Sequence, residues 1–217
     1  MKSLNKDINK AKNVLIVTAH PDDESHSFGG LIQIAKKHNC TVSLLCLTSG
    51  KENDSTRIKE LNDAANKLGI DLVLSESFVE GSLKKEIHKV RAIIAETIKE
   101  VKPDAVFSFD YSGITGHIDH FVLAEELVRL FGKTKPKFTL YLKVPDPRDR
   151  KFFTTNKLMT HSLSATHLLT FGFSEALSKL KAIYSYRSKM TSLIYRLHLL
   201  EWHIFDHYEF FHEVKVK

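Results

Sequence analysis

Apolar residues in the first two-thirds of the chain fall into short runs separated by stretches of helical spacing. Val14 to Thr18, Thr41 to Leu47, Asp71 to Ser75, Ala105 to Phe109 and Phe138 to Val144 are rich in Val, Ile, Leu and Phe, as strands buried on both faces are. Between them, Gly30 to His38, Asp54 to Leu68 and Lys84 to Val101 carry apolar residues three and four apart and read as helices. Leu68-Gly69 and Lys102-Pro103 supply stops. Strand and helix in alternation predict right-handed β-α-β units: an α/β fold with a Rossmann-like, open, mostly parallel sheet flanked by helices. Farther on, the polar stretch Pro145 to Thr160 predicts a surface loop able to cover a site. Thr166 to Phe173 then reads as the last strand, and Ser174 to Met190 as a helix capped by Ser174. No repeat divides the sequence, and residues 1–217 read as one domain.

Composition narrows the classes. Apolar residues at 42% and charged residues at 27% belong to an ordinary packed protein. The net charge of +6 comes from lysines scattered through helical segments, with no basic tract of the kind that grips nucleic acid. Such a surface would steer an anionic small molecule toward a cleft. Cys40 and Cys46 form neither a C-x-x-C pair nor a disulfide framework, which fits a reducing cytoplasm. The polar start of the chain and the lack of a window of roughly 18 apolar residues predict neither targeting nor membrane anchorage.

Candidate chemistry lies just beyond the strands, where an open parallel sheet binds its ligands. Ala19-His20-Pro21-Asp22-Asp23-Glu24 follows the first run, and Gly116-His117-Ile118-Asp119-His120 follows the fourth. His20 and Asp23 are spaced to converge on one ion, and His120 completes a His-Asp-His set that leaves zinc a fourth position for an activated water. Asp22 would take that water's proton and return it to a leaving amine; its alternative role is a helix N-cap. Asp119 would orient His117 as a cationic oxyanion stabiliser, unless the two merely cap the helix that begins near His120. Glu24 contacts a basic neighbour or supports the metal shell. Gly29-Gly30 is explained by close helix-sheet packing. Toward the end of the chain, His203 and His207 stand four apart among Trp202, Phe205, Tyr208, Phe210 and Phe211. The H-E-x-x-H glutamate is missing, so this segment reads as a packed or self-associating helix and leaves a homo-oligomer open.

The two histidine clusters together with Gly29-Gly30 resemble the PIG-L/LmbE family of zinc-dependent N-acetylglucosaminyl deacetylases. Arg57-x-x-Glu60-x-x-x-Ala64 before Leu68-Gly69 is similar to the family's Arg and Glu helix, Lys181-Ala182-Ile183 to its late helix, and Tyr208-Glu209-Phe210 to its terminal motif. The resemblance implies His20, Asp23 and His120 as zinc ligands, Asp22 as general base, and His117 with Asp119 at the oxyanion. It also implies that Arg57 binds an N-acetylated amino-sugar substrate, the alternative for Arg57 being a surface salt bridge with Glu60. Several positions depart from the family's habit: Thr48-Ser49-Gly50-Lys51 at a strand end, Thr115 and Ile118 in the second cluster, and Tyr186 and Lys189 on the late helix. They surround the pocket rather than the ion. A zinc amidase with a non-sugar N-acyl substrate and a catalytically silent sugar- or metal-binding relative are the competing readings.

Overall fold

The computed structural model describes residues 1–49, 55–134, 136–147, 161–190 and 207–215. In chain order the elements are β1 (Lys2–Ser3), α1 (Leu4–Ile8), β2 (Asn13–Thr18), α2 (Asp23–Lys37), β3 (Thr41–Thr48), α3 (Ser55–Leu68), β4 (Leu72–Phe78) and α4 (Ile87–Val101). They continue with β5 (Ala105–Phe109), α5 (Gly113–Gly116), α6 (Ile118–Thr134), β6 (Thr139–Val144), β7 (His167–Thr170), α7 (Phe173–Ile183), a 3-10 turn (Arg187–Lys189) and β8 (Tyr208–Glu213). The strands form one eight-stranded sheet in the order β1-β7-β8-β6-β5-β2-β3-β4, and β8 runs antiparallel to both β6 and β7. The other pairings are parallel, as the alternating pattern predicts.

The order explains where ligands can enter. From β2 the chain moves outward through β3 to β4, then returns to lay β5 against the other side of β2. The connections leaving β2 and β5 therefore diverge to opposite sides and open a crevice at the carboxyl ends of these two strands, the switch point where such sheets bind ligands. Both histidine clusters sit there. Beneath them Val14, Leu15, Ile16 and Val17 are completely buried, and so are Phe28, Leu31 and Ile32 on α2.

Several elements differ from the sequence pattern. Helix α2 starts at Asp23, seven residues before the expected Gly30, so the first motif is itself the helix N-terminus. Two acidic residues in that first turn, Asp23 and Glu24, suit the positive end of the helix dipole. The N-cap position of α7 is Gly172 rather than Ser174, whose hydroxyl instead donates to Glu175. The largest correction concerns Tyr208 to Phe211, expected as helix and found in a strand inside the sheet. An interior strand covered on both faces loses its polar alternation, and a run of aromatics then imitates a buried helix. His203 and residues 148–160 of the expected covering loop lie outside the described residues. His207 is described, and its Nδ1 donates to the carbonyl of Phe171 at 3.1 Å.

Close packing accounts for the Gly29-Gly30 pair. A Cβ on Gly29 would fall 2.5 Å from Cγ of Lys179, and one on Gly30 would fall 2.3 Å from the ring of Phe171.

Candidate active site

His20 follows β2, Asp23 opens α2, and His120 lies in the first turn of α6, so three elements deliver one donor each. Nε2 of His120 lies 3.2 Å from Nδ1 of His20 and 3.1 Å from Oδ2 of Asp23, and the His20 to Asp23 separation is 3.6 Å. A tetrahedral zinc with bonds of about 2.0–2.2 Å separates its donors by roughly 3.3–3.6 Å, and this set lies within about 0.2 Å of that spacing, so a divalent ion fits with a small outward shift of His120. All three residues are buried.

The imidazoles are held in the required tautomers. Nδ1 of His120 donates to the carbonyl of Gly113 at 2.8 Å, leaving Nε2 as the electron-pair donor, and the ring stacks on Phe109 with centroids 3.9 Å apart. Gly113 has φ of +61°, and a Cβ there would fall 3.1 Å from Cβ of His120, so a side chain would disturb this approach. Burial raises the carboxyl pKa of Asp23, but the two facing imidazoles prevail and hold it well below the usual carboxylate range.

Asp119 does something other than expected. Its carboxylate meets Nε2 of His20 at 3.1 Å and accepts backbone N–H groups from Gly81 at 2.6 Å and Leu83 at 3.3 Å. It thus braces His20 from behind the donor cluster, and its link to His117 runs through its backbone, whose N–H donates to Nδ1 of His117 at 3.2 Å. That bond leaves the proton of a neutral His117 on Nε2, a third exposed and 3.6 Å from Glu80. Burial, with the imidazoles of His20 and His120, lowers the His117 pKa, so its neutral form is favoured over the cation expected from sequence. Hydrogen-bonded carboxylates behind metal-binding histidines typically contribute 10–100-fold in affinity. Asp119→Asn is accordingly expected to weaken zinc binding roughly 10–100-fold, measured by competition with a chromophoric chelator; unchanged affinity would remove this role.

Asp22 occupies the N-cap position of α2, yet its side chain makes no capping bond. Its backbone is left-handed, with φ of 104°, a conformation costing on the order of 1–3 kcal/mol for a residue other than glycine. The carboxylate accepts from Nη2 of Arg57 at 3.3 Å and from Nζ of Lys189 at 2.7 Å. The backbone is held from below: Arg57 also donates to the carbonyl of Pro21, and the N–H of Asp22 donates to Glu24 at 3.1 Å. Arg57 is buried, with its guanidinium 5.3 Å from the ring centroid of Tyr186, so it is no surface ion-pair residue.

Glu24, ambiguous in sequence, supports this turn. Completely buried, it accepts from the hydroxyls of Ser25 at 2.5 Å and Tyr186 at 2.7 Å, and burial pushes its carboxyl up to about 7. Glu60 accepts from the backbone and hydroxyl of Ser188, at 2.8 and 2.6 Å, and so fixes the 3-10 turn that carries Lys189. Tyr186, Ser188 and Lys189, which meet Glu24, Glu60 and Asp22, were missed in the sequence because each lies more than a hundred positions from its partner. The departures at Tyr186 and Lys189 were the available signal.

The fold and this cluster define an α/β protein with a metal-type site of two histidines and an aspartate at the switch point, flanked by a separate carboxylate. The PIG-L family, described as GlcNAc-PI de-N-acetylase, matches residues 15–131, more than half of the chain, and the protein belongs to this family. A probable N-acetylglucosaminyl-phosphatidylinositol de-N-acetylase of Schizosaccharomyces pombe is 31% identical over 140 residues, covering 60% of this chain and 56% of that protein. A probable N-acetyl-alpha-D-glucosaminyl L-malate deacetylase 2 of Bacillus anthracis is 31% identical over 146 residues, covering 58% and 64%. The chain thus spans less than two-thirds of either relative's length. The fold is similar to that of the N,N'-diacetylchitobiose deacetylase of Pyrococcus horikoshii, with a TM-score of 0.73 at 20% identity, covering 95% of this chain and 85% of that one. No helix among the described residues is long and apolar enough to cross a membrane.

Proposed function

We propose that this protein is a zinc-dependent hydrolase that removes the N-acetyl group from a glucosamine-type sugar or sugar conjugate. The observation that carries the reading is the convergence of His20, Asp23 and His120 at ion-binding distances, with the carboxylate of Asp22 turned away from a capping role beside them. Relatives named for deacetylating N-acetylglucosaminyl conjugates of phosphatidylinositol and of malate support the substrate class.

Held by His20, Asp23 and His120, zinc would polarise the amide carbonyl and lower the pKa of water toward neutrality. Asp22 receives the proton of the attacking water and returns it to the amine as the carbon–nitrogen bond breaks, so that acetate and a free amine leave. His117 presents its Nε2 proton to the carbonyl oxygen as that atom gains negative charge. Arg57 keeps Asp22 oriented. The free, buried cysteines Cys40 and Cys46 support a cytoplasmic setting.

The test is free-amine release from a panel of N-acetylglucosamine conjugates, with zinc-loaded and chelator-stripped protein side by side. Release that depends on zinc is expected. A protein that holds one zinc per chain and cleaves no conjugate would sink the sugar reading and leave a non-sugar N-acyl substrate or a silent binding module.

A further inference from the structure

We propose that Lys189 selects substrates bearing an anionic group on the aglycone, an inference that rests on the deacetylase reading above. Two cations share one oxygen of Asp22, and they differ in kind. Arg57 is buried and also committed to the carbonyl of Pro21, whereas the Lys189 side chain is 51% exposed and lies on the solvent side of the carboxylate. One cation suffices to orient Asp22. A second, on a half-exposed side chain 2.7 Å from the same carboxylate, adds positive charge that solvent and a bound molecule can reach.

The position of Lys189 is imposed by its surroundings. Glu60 anchors Ser188 through two hydrogen bonds, the N–H of Lys189 donates to the carbonyl of Tyr186 at 3.2 Å, and the Tyr186 hydroxyl is pinned to Glu24. The ammonium is thereby delivered beside Asp22 by a braced turn rather than by a wandering surface chain. It has three protons to donate, and among the described residues Asp22 takes one. The others are available to a carboxylate or phosphate that arrives together with the sugar.

The measurement compares two glycosides of N-acetylglucosamine that differ only in the aglycone, methyl and carboxymethyl, using zinc-loaded wild type, Lys189→Gln and Lys189→Arg. The ratio of kcat/KM for the carboxymethyl over the methyl glycoside is expected to fall roughly tenfold in Lys189→Gln, chiefly through KM, and to be largely kept in Lys189→Arg. A ratio equal in all three proteins would overturn the proposal; equal losses on both glycosides would instead make Lys189 a partner of Asp22 alone. Dissociation constants of the two glycosides, measured by calorimetry, read the same ratio without turnover. If neither glycoside is cleaved, the deacetylase reading fails on this panel, while the binding ratio still decides the role of Lys189.

Discussion

Asp22→Asn is expected to lower kcat on any cleaved conjugate by roughly 10²–10⁴-fold, the range of a lost general base, while zinc stoichiometry stays at one per chain. Asparagine is chosen because it separates chemistry from architecture. Asp22 sits at φ of 104°, and asparagine tolerates left-handed backbone better than most residues, so the turn into α2 should survive. The amide oxygen still accepts from Arg57 and Lys189, but it cannot take up the proton of an attacking water. His20→Ala removes a donor atom instead, and should lose activity together with zinc. Metal analysis and amine release on the same preparations distinguish the two. An Asp22→Asn protein that keeps zinc and works within tenfold of wild type would show that the proton goes elsewhere.

The site was legible in the sequence to the extent that its parts are local. His20, Asp22 and Asp23 share one turn, and the strand before them shows as a buried apolar run, so the cluster's place at a strand's end follows from periodicity alone. His120 was linked to it because β5 also ends in a polar cluster, and the fold brings both ends to one crevice. What a linear reading lacked was direction. Asp119 is two residues from His117 and 99 from His20, yet its carboxylate points to His20, because α6 turns the side chain toward β2 and the Gly81 and Leu83 amides meet it there. Arg57 was expected to bind substrate, whereas its guanidinium lies buried under the Pro21-Asp22 turn and donates to Pro21 and Asp22. The aromatic end of the chain misled for a different reason: strand β8 is covered on both faces, and nothing in its own residues reveals that its neighbours are strands.

That misread strand also supplies Glu209, whose pair with Lys179 of α7 has the largest expected effect on stability. Glu209 is completely buried and accepts from Nζ of Lys179 at 3.1 Å and from the backbone N–H groups of Gly30 and Leu31 at 2.9 and 3.1 Å. Lys179 is 1% exposed, its ammonium 5.5 Å from the ring centroid of Phe171. Glu209→Ala would strand this ammonium in a dry site, and breaking one side of a buried pair typically costs about 3–5 kcal/mol, a large share of the roughly 5–15 kcal/mol that holds a domain folded. Denaturant unfolding of the variant should show a midpoint lowered accordingly, with the slope little changed. Lys179→Met with Glu209→Leu removes both charges at similar volume, and is expected to regain most of the loss. Failure of the double variant to recover would assign the stability to the contacts of Glu209 with α2 rather than to the ion pair. Because α2 begins with Asp23, the zinc affinity of the three proteins then reports whether seating this helix from β8 also sets the geometry of the His20, Asp23 and His120 cluster.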